Sequence, residues 1–542
     1  MADEFDFVII GAGSAGCVLA NRLSADPSVN VCLIEAGPAD RHPLIHLPLG
    51  IVKVMQHKRL TWNFETVPQE FEGGRKIPIP AGRVLGGSSS INGMVYTRGH
   101  PRDYDAWAEA GNAGWGYRDV LPYFLRSENN LVWRNSPYHG ASGEMTVDNL
   151  RSTNQLSHDF VAAAASLQYP ICDDFNGPRQ EGFGMRQLTQ RNGRRESAAT
   201  AFLAPVAKRP NLRIVTGAEV ERVVIEGGRA VAVEARLGGE MRRIAARREI
   251  VVSCGAIGSP MLLLRSGIGA ASALRRDGIA VVADLPGVGA NLQDHVSTHM
   301  LIATQSTVPY GISLKVLPRL VKNFFEYALF RRGLLATNGV ECGGFLRTSP
   351  DLDRPNLQFA FLAGFRNPNG RMGFGHGYGL SVILVQPKSR GTVGLAANDR
   401  HRPNIDPHFL EAPEDVETLV KGLQIGRQIL AAPALAQYDG REVLPGVERI
   451  RDDDLADYVR QGSRTAFHPV GTCKMGIGAD AVVDPRLRVR GIAGLRVVDA
   501  SVFPRIITGN TNAPVTMIAE KGADFMLGRP VLPPAVLPDD AR

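Results

Sequence analysis

The stretch FDFVIIGAGSAGCVLANRL (residues 5–23) decides how this chain folds. Four apolar residues, Phe7–Ile10, run straight into G-x-G-x-x-G and then into a helical pattern, giving the order strand, glycine turn, helix. Each glycine has its own task in that order. Gly11 permits the tight turn, Gly13 lets backbone approach a pyrophosphate, and Gly16 lets helix and strand pack closely. Ser14 and Ala15 open the helix, whose free N–H groups and positive dipole end suit phosphate. A second apolar run, NVCLIEAG (30–37), reaches Glu35 nineteen residues beyond Gly16, with Ala36 behind it. A carboxylate there accepts hydrogen bonds from an adenosine ribose and repels a 2′-phosphate. The expected ligand is an adenine dinucleotide, and this motif alone does not separate NAD from FAD.

The next unusual segment is PAGRVLGGSSSINGMVYTRG (80–99). Gly86, Gly87 and Ser88–Ser90 offer successive backbone N–H groups and hydroxyls with few side chains in the way, which suits a polar or anionic ligand. Asn92, Gly93 and Met94 continue that small, polar character. A chain that only holds NAD needs no second glycine wall, whereas one that encloses an extended flavin nucleotide does.

With these motifs the sequence resembles the glucose–methanol–choline family of FAD-dependent oxidoreductases. The resemblance rests on GAGSAG (11–16), the 83–99 segment, GAIGSPMLLLRSGIG (255–269) and GVGANLQDH (287–295). It continues through PKSRG (387–391), HPVGTCKMG (468–476) and VVDASVFPRIITGNTNAPVTMIAEKGAD (497–524), in order along nearly the whole chain. It implies an FAD site drawing on Gly11, Gly13, Ser14, Ala15, Gly16, Glu35, Ala36, Trp62, Val84, Gly87, Ser88, Asn92, Gly93, Met94, Val95, Val220, Asp499, Ala500, Asn510, Pro514 and Thr516. Where the family can attach flavin covalently to a histidine, this chain has Ile91, so FAD is expected to be non-covalent.

The implied architecture is α/β (α+β overall): a Rossmann-like FAD-binding domain with an inserted substrate-binding domain built on an antiparallel sheet. Residues 1–155, 205–305 and 460–534 are expected in the first, 156–204 and 306–459 in the second, with a tail at 535–542. The pattern agrees. Residues 212–240 read as short strands with glycine turns, REIVVSCGAIGSP (248–260) as a buried strand entering a helix, and GLRVVDAS (494–501) as a returning strand. Residues 352–365 and 378–395 alternate like strands of an open sheet, and EDVETLVKGLQIGRQILAAP (414–433) has helical spacing.

Two segments near the C-terminus carry the chemistry. In TGNTNAPVTMIAEKGADFML (508–527), Pro514 marks the first turn of a helix expected to begin near residue 513, its N–H groups free for a ligand. Such an end stabilises negative charge arriving on a flavin pyrimidine. In AFHPVGTCKMG (466–476), Pro469 restricts the chain after His468, whose imidazole suits the base that oxidation of an alcohol needs. The resemblance implies His468 as the base and Asn512 as the partner that binds the substrate oxygen. His295, after an apparent turn, reads as structural. His468 and Cys473 lack the further ligands of a zinc site, and Ser88–Ser90 lack a G-x-S-x-G elbow.

Composition narrows the class. The 542 residues are 44% hydrophobic and 21% charged, an ordinary globular balance. A formal charge of +7 is spread among acids without a run of like charge, which argues against nucleic acid as a partner. The six cysteines have no C-x-x-C spacing, and the acidic start has no basic leader, so a reducing, cytoplasmic location is expected. SLKVLPRLVKNFFEYALFRRGLL (313–335) mixes basic and apolar residues in a way that suits peripheral membrane contact or a partly buried helix or lid. The expected reaction is FAD-dependent oxidation of a primary alcohol to an aldehyde, with quinone, a respiratory carrier or oxygen as electron acceptor. Segments 41–50 and 354–362 resemble dehydrogenases of aliphatic alcohols. Oxidation of choline, or a non-redox hydroxynitrile lyase on the same fold, are the alternatives.

Overall fold

The computed structural model describes residues 3–365 and 373–538. Its first sheet is built around strand Asp3–Ile10, which pairs in parallel with Val31–Glu35 on one side and Glu240–Val252 on the other. Strand Leu212–Thr216 extends the sheet beyond Val31–Glu35, and Leu495–Val497 returns from the C-terminus to pair with Ile250–Val252. Phe7–Ile10 and Val31–Ile34 are buried along their whole length, as expected for strands covered on both faces. The strands Ala218–Glu226, Arg229–Leu237 and Glu240–Val252 form an antiparallel meander. Its turns are Gly227-Gly228 and Gly238-Gly239, all with positive φ, the geometry that two-residue hairpin loops require.

The second sheet runs in the order 441–444, 296–304, 376–384, 357–362, 342–346, 182–185, with antiparallel neighbours throughout. Helices Pro413–Ala431, Gln155–Ser166 and Asp452–Gly462 pack against it over a separate apolar core that includes Phe160, Phe359, Leu380 and Leu423. The expected pairing of a Rossmann-like unit with an antiparallel unit is therefore present.

The expected boundary at 305/306 needs correction. Strand Val296–Thr304 lies inside the second sheet, and Arg464–Thr465 pairs with its first residues. By sheet membership both belong with the second unit, which places the crossings just before Val296 and just after Thr465. Of the expected tail, residues up to 538 are described. Ala535 donates its N–H to the Arg118 carbonyl and Leu537 is buried.

What positions the site is the return of the chain to its beginning. The terminal helix Asn512–Met526 lies beside the first helix, Ser14–Leu23. Arg22 and Arg126 both reach the fully buried carboxylate of Glu520, at 2.7 and 2.8 Å. Two helices almost five hundred residues apart are thereby held with their N-termini side by side.

Candidate active site

Those two N-termini form the first half of the site. Neither helix has a side-chain cap, and neither has an acidic residue in its first turn. Their first N–H groups and positive dipole ends are thus not met by an N-cap side chain or a first-turn acid of their own helices. Ser14 Oγ donates to Asn512 Oδ1 at 2.6 Å and joins the two ends directly. The three glycines divide as their positions require. A Cβ on Gly11 would lie 2.4 Å from the Ser253 carbonyl oxygen, and one on Gly16 1.9 Å from that of Gly11. At Gly13 it would meet nothing within 4 Å. Gly11 and Gly16 are closed by packing and Gly13 is open, as a pyrophosphate approaching the backbone would need. The residues present fit a dinucleotide.

Around this loop stand most of the other expected cofactor residues. Glu35 is buried and accepts N–H bonds from Ala12 and Gly37 at 2.9 and 2.8 Å. Burial, opposed by those bonds, pushes its carboxyl up to about 7. Ala36 follows it half-buried. Gly87 lies against the first loop, since a Cβ there would sit 2.7 Å from the Gly13 Cα, while Ser88 is exposed. The Asn92 carboxamide accepts from Met94 N–H and from the buried Arg195, at 2.9 and 2.8 Å, while Met94 adopts φ 61°. Gly93 offers its carbonyl to Asn338, and Val95 bridges to Leu188. Ala15 and Pro514 are buried in the first turns of their helices, Thr516 is buried one turn into the second, and Ala500 is half-buried.

Four further expected residues have side chains held by contacts within the protein. Trp62 stacks with Phe64 and lies under the Arg83 guanidinium, 4.9 Å away. Val84 is buried with Ile45, Val54, Leu60 and Ile91, and Val220 belongs to the main core. Asp499 is fully engaged inside the protein. It accepts from Ser501 N–H and Oγ and from Gly255 N–H and Ser259 Oγ, so its carboxylate caps helix Gly255–Arg265.

The second half of the site is His468. Asp294 Oδ1 accepts its backbone N–H at 2.8 Å and Oδ2 accepts the Thr465 hydroxyl. Burial raises the Asp294 carboxyl to about 7. Between them Phe467 adopts φ 67°, a strained conformation for an aromatic residue that these bonds hold in place. Burial also lowers His468 to about 4 and, with the adjacent His468 adding to it, His295 well below its ordinary value. Both rings are therefore neutral, each with one N–H.

Their hydrogen bonds then assign the protons. His295 Nε2 lies 3.1 Å from the Ile507 carbonyl, which can only accept, so that nitrogen carries hydrogen. In the tautomer that satisfies Ile507, His295 Nδ1 is left as an acceptor and His468 Nδ1 donates to it across 2.9 Å. The His468 Nε2 is thereby unprotonated. It faces the amide nitrogen of Asn510 at 2.9 Å. The amide orientation follows from its other end, where Thr97 Oγ1 and Gln358 Nε2 donate to Asn510 Oδ1 at 3.3 and 3.4 Å.

Two expectations change here. The partner beside His468 is Asn510, not Asn512, whose side chain turns to Ser14 at the nucleotide loop. His295, read from sequence as structural, lies 2.9 Å from His468 Nδ1, where it can fix that ring's tautomer. Nothing in NLQDH marks it, because its partner is 173 residues away. Asn512 gives a test of this division of labour. Replacing it with Leu is expected to weaken FAD binding by about tenfold, the loss of a hydrogen bond worth roughly 1.4 kcal/mol. Alcohol-dependent flavin reduction in the loaded variant should change less than about twofold. Fluorescence titration of the apoprotein and stopped-flow reduction separate the two effects.

The comparisons with known proteins fit this geometry. Residues 5–297 and 387–519 match the N- and C-terminal models described as GMC oxidoreductase. An alcohol dehydrogenase [acceptor] of Pseudomonas putida is 46% identical over 527 residues, 96% of either chain. An oxygen-dependent choline dehydrogenase of Brucella anthropi is 43% identical, over 97% of this chain and 96% of its own. Among solved structures, pyridoxine 4-oxidase from Mesorbium loti has a TM-score of 0.86 at 33% identity, covering 96% of this chain and 98% of that one. A fungal aryl-alcohol oxidase has a TM-score of 0.84 at 26% identity, over 97% and 99%. From its first strand to its closing helix, the chain belongs to the GMC oxidoreductase family.

Proposed function

We propose that this FAD-dependent oxidoreductase takes uncharged primary alcohols, aliphatic or aryl, to aldehydes, with His468 Nε2 as base and Asn510 as the group that binds the substrate oxygen. The observation that carries this reading is the hydrogen-bond relay from Ile507 through His295 to His468, which leaves a lone pair on Nε2. FAD, when bound, supplies the acceptor for the hydride leaving the carbinol carbon. His468 takes the hydroxyl proton, and the amide N–H of Asn510 donates to the oxygen as negative charge grows on it. Thr97, through its bonds to both the backbone and side chain of Asn510, keeps that amide in place.

The polar groups around this pair favour a neutral substrate. Thr97, Gln358, Gln386 and Thr508 are all uncharged. The nearby carboxylates are occupied, Asp103 by Arg354 at 3.0 Å and Asp294 by Thr465 and the His468 N–H. A quaternary ammonium would want an aromatic cage or a free carboxylate. Ile91, buried and aliphatic where attachment would need a histidine, supports non-covalent FAD. Quinone, a respiratory carrier or oxygen then removes the electrons. The cytoplasm fits six cysteines that form no disulfide among the described residues.

The choline dehydrogenases among the relatives make choline the second reading. Anaerobic bleaching of the flavin by a panel of alkanols, aryl alcohols, sugars and choline decides. Alkanols or benzylic alcohols should reduce it at least about tenfold faster than choline, the discrimination that one unpaired buried charge imposes. Faster reduction by choline would overturn the assignment of a neutral substrate.

A further inference from the structure

The helix Leu317–Phe330 turns its apolar stripe away from the protein. Tyr327 is its buried residue, and it donates its hydroxyl to the Gly193 carbonyl. Leu317, Val321, Phe324, Phe325 and Leu329 are each more than half exposed. Their spacing of i, i+4, i+7, i+8 and i+12 places them on one face of a helix, the pattern that ordinarily faces a core. Leu314, 86% exposed, precedes this face, and Phe374, 84% exposed, bridges to Ile312 beside it. Single exposed apolar residues are normal on protein surfaces. A continuous row of this size marks an interaction site.

Charge identifies the partner. Between residues 314 and 332 there are five basic side chains, Lys315, Arg319, Lys322, Arg331 and Arg332, and one acid, Glu326. The five are exposed. A second copy of the chain meeting this face across a two-fold axis would bring two such basic sets together. An anionic bilayer surface complements both features, with acyl chains for the apolar row and headgroup phosphates for the cations. Among the described residues no helix is long and apolar enough to cross a membrane, so contact would be peripheral.

We propose that Leu317–Phe330 and its flanks dock this protein on the surface of an anionic lipid bilayer, a role that goes beyond the alcohol-oxidation reading and does not depend on it. The docked segment is tied to the candidate site. Gly333, just past the helix, donates its N–H to Ser152 at 2.8 Å, and Asn338 donates to the Gly93 carbonyl in the second glycine cluster. Docking would bring this side of the molecule to a phase that concentrates apolar alcohols and lipid-soluble electron carriers.

Co-sedimentation of the FAD-loaded full chain with vesicles tests this. The wild type should pellet with mixed phosphatidylglycerol–phosphatidylcholine vesicles, and less with phosphatidylcholine alone or at high salt. F324Q/F325Q/L329Q should bind at least about tenfold more weakly, and R319E/K322E likewise, with less salt dependence. Flavin absorbance per chain and alcohol-dependent reduction without lipid should stay at wild-type levels in both. If the apolar variant lost its flavin, the charge-reversal variant alone would decide. Wild-type protein that does not sediment, or variants that bind as well as wild type, would overturn the proposal. So would a light-scattering dimer that the apolar variant turns into a monomer without any lipid binding, which would make the face a contact between copies.

Discussion

His468→Ala lowers the rate at which an alcohol reduces the bound flavin by about 10²–10⁴-fold, the range in which a general base contributes, while flavin content per chain stays at the wild-type level. Anaerobic stopped-flow reduction and the absorbance ratio of flavin to protein read the two quantities separately. The split is expected because the hydrogen bonds given to the His468 side chain go to His295 and Asn510, whereas the proposed nucleotide cradle consists of residues 11–16, 35, 87 and the start of the terminal helix. The pH profile strengthens the test. Burial lowers His468 to about 4, so Nε2 is free to take a proton throughout the neutral range. The wild-type rate should be level above about pH 6 and fall as the imidazole protonates near pH 4. In the alanine variant that acid limb should vanish. An unchanged rate would remove His468 from the mechanism.

How much of this was legible in the sequence depends on the range over which each feature is set. The dinucleotide loop is local: strand, glycine turn and helix lie within nineteen residues, and packing uses Gly11 and Gly16 as their positions imply. The start of the terminal helix is local too, since Pro514 fits its first turn. The choice between Asn510 and Asn512 is not. Both flank Thr511, and only the folded chain shows that Thr97 and Gln358 hold the first toward His468 while Ser14 holds the second. The partners of Asp499 are set at long range too: an acid at the end of a strand next to a cofactor loop does not announce the four donors from Gly255, Ser259 and Ser501 that its carboxylate accepts. The boundary expected near 305 is not local either. Val296–Thr304 is buried like the strands of the first sheet, and apolar burial does not say which sheet a strand will join.

His295 lies beyond sequence reasoning altogether, and replacing it gives the second large effect. His295→Leu removes the acceptor for the His468 Nδ1 hydrogen and strands the Ile507 carbonyl. The imidazole at 468 is then no longer held to the tautomer with a free Nε2, and kcat/KM should fall by about 10–100-fold, the scale seen when a group that orients a functional histidine is lost. A packing role alone would predict the same direction, so two further variants are needed. His295→Asn keeps an oxygen at the position of Nδ1 and should retain activity within about tenfold of wild type. His295→Asp puts a carboxylate beside His468, which favours the imidazolium and should move the acid limb of the profile to higher pH. The rings stand nearly perpendicular at 84°, with centroids 5.1 Å apart, and their Nδ1 atoms lie 2.9 Å from each other, so a hydrogen bond rather than parallel stacking joins them. Equal losses in the Leu and Asn variants, with the acid limb unmoved by Asp, would reduce residue 295 to a filler of space.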